Sequence, residues 1–393
     1  MFDMTAVRAD TPGCLDRVFL DSAGSSLSPS PVLDVVVAHL RREAEVGGSR
    51  AVAERADEVA RGYRVFAELL GCQPDEVAFT DSATRSWLSL VDAVPLGKGD
   101  RVLISEVEYG SNAIALLRIA ERTGAELHRM PSDATGRVDV DALGDVLDER
   151  VKLVSLVHVP TNGGLVNPVR AVAERAHAVG ALVLLDACQS IGQRPVRVAG
   201  LGADLVTGTG RKWLRGPRGT GFLVATAAAR KRLRPGLVDN NGGTWTSPDS
   251  YTLRPDAGVF ELFEHSVAGR LGLIAAADYA LAIGLDTIAA EVTARAQHLR
   301  AGLAEIPGVV VRDRGVDRCG LVTFTVAGMD VERVRDALLD KGITVSANYA
   351  CNTRIDMDGR GLAAVVRASA HYFVSTAQLD AFLAAVTALA HPS

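Results

Sequence analysis

Between residues 30 and 235, short runs rich in Val, Leu and Ile alternate with stretches whose apolar positions recur at helical spacing. Continuous apolar runs suit strands buried on both faces, and helices between them suit crossovers, so the pattern predicts an α/β fold built on a mostly parallel sheet flanked by helices. Strands are expected over 76–80, 101–105, 153–159, 181–186, 205–207 and 221–224. The first five run into Gly, Ser, Thr or Asn. Ligands of such sheets sit beyond the carboxyl ends of the strands, which makes these polar ends the place to look for chemistry.

After Arg270 the text changes to a long Ala- and Leu-rich helical stretch, 271–303. Strand-like pieces at 309–312 and 320–326 follow, with helical patterns at 331–338 and 377–389. The expected organisation is an N-terminal arm over 1–25 packing near the active site, a large domain over 26–270 and a smaller C-terminal α/β domain over 271–393.

Charge and composition narrow the partners. A net charge of -5 gives no broad positive field for nucleic acid or an anionic membrane surface. Arg211, Lys212, Arg215 and Arg218 form a local basic cluster, suited to a small anion or to a solvated loop. The five cysteines show neither metal-ligand spacing nor the density of a disulfide scaffold, which fits reduced thiols in a cytoplasm and no metal site. No signal-peptide pattern opens the chain and no run of about 20 apolar residues would span a bilayer. A cytoplasmic protein is expected.

The apolar run Leu182 to Leu185 ends in Asp186, followed by Ala187-Cys188-Gln189-Ser190. Such an aspartate either caps the next helix or presents a carboxylate to a ligand at the mouth of the sheet. Further on, Lys212 leaves a strand-like run in Thr207-Gly-Thr-Gly-Arg-Lys, and Gly216-Pro-Arg-Gly-Thr-Gly221 comes soon after. Together these segments resemble the class V aminotransferase and cysteine desulfurase family, enzymes of pyridoxal-phosphate (PLP) fold type I. The resemblance runs from about Asp21 to Ala388.

The resemblance implies PLP as cofactor, covalently held by Lys212, whose amine in a desolvated, cationic setting gives up its proton readily. It implies Asp186 as the partner of the pyridine nitrogen and Gln189 as a donor to the phenolic oxygen. Ser82, Ala83 and Thr84, between a strand and a helix beginning near Arg85, resemble the family's phosphate turn, with Ser82 where glycine is usual. Thr209 and Arg211 complete the anion site, and Tyr109 is placed over the ring. His158 and Asn162, at another strand end, are assigned to cofactor or substrate, although His158 equally suits a core histidine. Arg367, in Arg-Ala-Ser-Ala-His-Tyr, matches the arginine that grips the substrate carboxylate, and Ser22 and Ala23 match the segment closing over the site. Thr244 is assigned to the phosphate of a neighbouring subunit, so a homodimer is implied.

For the reaction, His39 to Gly48 and Asp21 to Gly24 resemble the branch holding the carbon–sulfur lyase of ergothioneine biosynthesis, isopenicillin N epimerase-like proteins and lincosamide-pathway enzymes. The first expectation is β-elimination from an S-substituted cysteine. The alternative is cysteine desulfuration through Cys351, which lies close to the persulfide-forming position of one desulfurase group but lacks its flanking histidines. Transamination, a decarboxylating deamination of the same substrate class, and a PLP-binding regulator are the remaining readings.

Overall fold

The computed structural model describes residues 2–391. The apolar runs become strands wherever both faces can be covered. Numbered along the chain, the strands are β1 (Val18–Phe19), β2 (Val77–Thr80), β3 (Arg101–Ile104), β4 (Glu126–Arg129), β5 (Val151–Val157), β6 (Leu182–Asp186), β7 (Leu205–Thr209), β8 (Gly221–Ala225), β9 (Gly243–Ser247), β10 (Ser250–Leu253), β11 (Val309–Val311), β12 (Leu321–Val326), β13 (Ile343–Thr344), β14 (Ser346–Tyr349) and β15 (Ala364–Ser369).

Seven of them form the main sheet in the order β2-β8-β7-β6-β5-β3-β4. Pairings from β4 through β3, β5 and β6 to β7 are parallel, and β8 runs antiparallel to both β7 and β2. Strands β6, β7 and β8 are buried along their whole length. The edge strand β4, Glu-Leu-His-Arg, was not expected, because an edge with exposed Glu126 and Arg129 carries no apolar run. Helices Ala83–Ala93, Gly110–Thr123 and Val169–Ala178 connect strands of the sheet, and the first two begin within a few residues of a strand end.

The C-terminal region holds an antiparallel sheet, β11-β12-β15-β14. The helical stretch expected over 271–303 is two helices, Val267–Ile283 and Leu285–Ala304, meeting at 82°. Gly284 adopts φ +93 at the junction, a conformation that a side chain strongly disfavours and that ends the first helix. Both helices bury a large share of their surface in the protein, and no single described helix is long and apolar enough to cross a membrane.

The N-terminal arm is anchored to the C-terminal region. Strand β1 pairs in parallel with β13, and Asp21 bridges to Ser369 at the end of β15. This brings residues 20–26 across to the carboxyl ends of β6 and β7.

Candidate active site

The carboxyl ends of β2, β5, β6 and β7 open onto a cavity, a concave site in which a few polar groups converge, as in small-molecule sites. Its walls include Ser82, Ala83, Thr84, Tyr109, Asp186, Gln189, Thr209, Arg211 and Lys212, nine residues singled out from the sequence.

Lys212 follows β7 in the turn before Arg215. It is reachable through the cavity but withdrawn from bulk water by the protein around it. That desolvation lowers its ammonium pKa, Arg211 adds to the effect, and Asp186 opposes it. The strained residue in this turn is Arg215, with φ +64. Its backbone N–H donates to the Lys212 carbonyl (3.0 Å), and its buried guanidinium donates to Leu27 O, Tyr372 Oη and Thr11 Oγ1 while lying over the rings of Tyr372 and Phe373. The conformation persists because these contacts over-determine it.

Asp186 ends β6 with both oxygens held. Oδ1 accepts the Cys188 backbone N–H at 3.0 Å, and Oδ2 accepts from Asn112 Nδ2 at 2.9 Å. Among the described residues no cation pairs with it. A buried carboxylate with donors and no counter-ion is costly.

Helix Ala83–Ala93 begins at the cavity, two residues earlier than expected, with Ser82 as its cap accepting from the Arg85 N–H at 3.1 Å. Ser82 is extended at φ -166, so the turn needs no glycine. The free first-turn amides, the Thr84 and Thr209 hydroxyls and the Arg211 guanidinium converge as an anion cradle. Arg211 also donates to the Gly24 carbonyl of the arm.

Arg367, in β15, lies under the arm and is almost wholly buried. Nη1 donates to Thr161 Oγ1 (3.0 Å) and Nη2 to Asp21 Oδ1 (2.9 Å), while Nε has no partner. Gln189 Nε2 donates to Ala23 O and Thr161 Oγ1, and its Oε1 accepts from Trp213. Ser22 and Ala23 are buried in the arm that roofs this corner, with Ala23 N–H donating to Ser369 Oγ.

Four expected residues lie elsewhere. His158 is turned away from the cavity: Val157 and Val159 line it, and alternation carries the histidine to the other face, where Nδ1 meets Ser190 Oγ at 2.9 Å. Burial depresses its pKa to about 4. Asn162 is outside the lining, its Nδ2 given to Tyr349 O. Thr244 sits on the exposed β9–β10 hairpin, away from the cavity of its own chain. Cys351 is exposed in the turn Ala350–Asn352, not in the cavity wall, and its carbonyl packs on Gly110, where a Cβ would come within 2.4 Å of it.

Sequence reasoning did not single out Asn112, Thr161 and Cys188, which line the cavity, or Glu108 beneath it. Asn112 was legible in principle, being three residues past Tyr109 and so in the first turn of a helix that opens at a strand end.

The profile of the aminotransferase class-V family matches residues 18–382. The chain belongs to that family. A protein of Streptomyces coelicolor described as a probable cysteine desulfurase is 33% identical, with 98% of this chain and 96% of that protein covered. The apo cysteine desulfurase of Thermococcus onnurineus NA1 matches with a TM-score of 0.91 at 26% identity over 99% of both chains. The cystine C-S lyase C-DES, solved with glycine covalently linked to its PLP cofactor, has the same fold: TM-score 0.87, 22% identity, 97% of this chain and 98% of that one.

The protein is thus a PLP-dependent enzyme of fold type I. The cavity fits that cofactor on its own terms, since it offers an amine with depressed basicity, an uncompensated carboxylate for a cationic ring nitrogen, and an anion cradle at a helix start. Desulfurases among the similar proteins favour the second of the two sequence-based expectations for the reaction over β-elimination.

Proposed function

We propose that this enzyme cleaves the carbon–sulfur bond of a cysteine-type amino acid, and that its reaction is cysteine desulfuration with Cys351 as sulfur acceptor. The observation that carries the proposal is a poorly basic Lys212 in the cavity wall together with the buried guanidinium of Arg367, which donates to the cavity-wall residue Thr161.

Arg367 grips the substrate carboxylate. Its Nε is unpartnered, and the Asp21 carboxylate on Nη2 is a group the substrate can replace. Lys212 holds the cofactor and then, as a neutral amine, takes the proton from the substrate's α-carbon. Asp186 sets the charge at the ring nitrogen, Tyr109 covers the ring face, Gln189 faces the phenolic oxygen, and Ser82, Ala83, Thr84, Thr209 and Arg211 hold the phosphate. Once bound, the ring accepts the electrons released at that carbon. Cys351 takes the sulfur, leaving alanine as product and a persulfide on the protein. The relatives named as desulfurases, and the seating of the Cys351 turn on the first residue of the Tyr109 helix, support this assignment.

A second reading, β-elimination to a thiol, pyruvate and ammonia, is favoured by one observation. The Cys351 turn is pinned by Asn162 on Tyr349 O and by Ala350 N–H on Ala363 O, and its thiol is outside the cavity wall. Product analysis on cysteine and S-substituted cysteines decides between the two. Alanine with persulfide on Cys351, both lost in Cys351→Ser, supports desulfuration, whereas pyruvate formed undiminished by Cys351→Ser establishes elimination.

We further infer a homodimer whose β9–β10 hairpin brings Thr244 to the partner's phosphate cradle. Exposed Trp245 and Tyr251 on that hairpin, and Phe263 on the following loop, supply the apolar surface such an interface buries.

A further inference from the structure

Beneath the cavity lies a second buried carboxylate that the proposed chemistry leaves without a task. Glu108 precedes Tyr109 and is almost wholly buried. Its Oε1 accepts from Asn112 Nδ2 (3.0 Å) and from the Tyr109 backbone N–H (3.0 Å), and its Oε2 accepts from Ser155 Oγ (2.8 Å). The same Asn112 nitrogen donates to Asp186 Oδ2 at 2.9 Å. One amide therefore bridges two carboxylates, using both of its hydrogens.

The arrangement follows from the sheet. Ser155 and Val157 share a face of β5, and Val157 pairs in register with Asp186 of β6. Val157 reaches the cavity wall, so Ser155 lies one layer below it and meets Glu108 there. Helix Gly110–Thr123 then sets Asn112 in its first turn, between the two acids.

Two buried carboxylates joined by a neutral amide repel one another, and no described cation pairs with either. A core built for stability alone would replace Glu108 with a neutral residue. What balances the pair is a positive charge delivered from the cavity side of Asp186.

We propose that Glu108 is a positioning residue that acts on the cofactor through Asn112 and Asp186, orienting the Asp186 carboxylate and adding a second negative charge that keeps the pyridine nitrogen protonated. The inference rests on Asp186 facing that nitrogen. Burial, reinforced by the charge on Asp186, raises the Glu108 carboxyl to about 7 against the pull of its three donors, so a cation on the cavity side of Asp186 favours the charged form of Glu108.

The test reconstitutes the full-length enzyme with PLP labelled with nitrogen-15 in the ring and reads that nucleus by NMR, alongside equilibrium binding of PLP. Wild type is expected to give the shift of a protonated ring nitrogen. Glu108→Gln, isosteric and still able to bond Asn112 and Ser155, is expected to move the shift toward the neutral ring and to weaken PLP by about tenfold, the equivalent of one unit of lost proton affinity. Asn112→Ala, which cuts the bridge and leaves both acids in place, is expected to move the shift the same way. It also serves if Glu108→Gln does not fold.

Asp186→Asn separates the two claims. A ring that stays protonated in Asp186→Asn removes the assigned role of Asp186 and this inference with it. A ring that loses its proton in Asp186→Asn, but keeps the wild-type shift and affinity in Glu108→Gln and Asn112→Ala, overturns the role of Glu108 alone.

Discussion

At the scale of single residues, the enzyme keeps several ionisable groups away from their usual charge states, and each has a cause. His158 is the simplest case, because burial, with a smaller push from Arg194 that Asp317 opposes, brings it to about 4. Its folded pKa lies below the unfolded value, so the unfolded chain binds the extra proton first, and the stability His158 supports is present above that value and lost as pH falls toward 4. The linkage amounts to about 2 kcal/mol between roughly pH 7 and pH 5. Urea titrations at the two pH values are expected to show that loss in wild type and to show it reduced in His158→Gln. The histidine also marks the limit of a single sequence. That it ends a strand is legible from the apolar run before it, but which face it takes depends on register, and a shift of one residue exchanges cavity for core. Asn162 follows the cavity-wall residue Thr161 directly and still lies outside the wall, its amide given to Tyr349 O.

Among elements, two short segments carry more of the site than their length suggests. The turn Ala350–Asn352 rests on Gly110, so a methyl group there must push the Cys351 carbonyl away. Gly110→Ala is expected to cut persulfide formation at least about tenfold, the change that a displacement of about an ångström produces at a reacting group, with PLP content nearly unchanged. Labelling of Cys351 and cofactor absorbance measure the two separately. The turn from Lys212 to Arg215 is held by a buried cation that ties residues 11, 27 and 372 together. Arg215→Ala leaves those partners unpaired and is expected to cost about 3 kcal/mol in unfolding free energy. A loss below about 1 kcal/mol would mean that relief of the strained φ offsets the missing contacts. Strands β5 to β8 could be read from sequence because they are buried on both sides. Edge strand β4 and the break at Gly284 could not, since the first lacks an apolar run and the second interrupts an uninterrupted one.

Across the whole molecule, the active site is where the two ends of the chain meet the middle. Asp21 pairs with Arg367, Ala23 O receives Gln189, and Gly24 O receives Arg211. Removing residues 1–25 is therefore expected to release Arg367, Gln189 and Arg211 at once and to lower both the melting temperature and PLP retention, measured by thermal unfolding with and without added cofactor. A truncated protein that kept both would detach the arm from the site. This long-range closure was legible only through resemblance to a family, because nothing in the composition of residues 18–26 says which sheet they join. Hydrophobic periodicity reports local structure, and the arm is placed by pairing of β1 with β13 more than three hundred residues away.

Reduction of the PLP-loaded enzyme with borohydride, followed by peptide mass spectrometry, tests most directly whether Lys212 is the residue that joins the cofactor. The predicted result is a stoichiometric reduced pyridoxyl mass on the peptide containing Lys212, and none anywhere in Lys212→Ala. A label of equal yield on another lysine, or one that persists in Lys212→Ala, would contradict it.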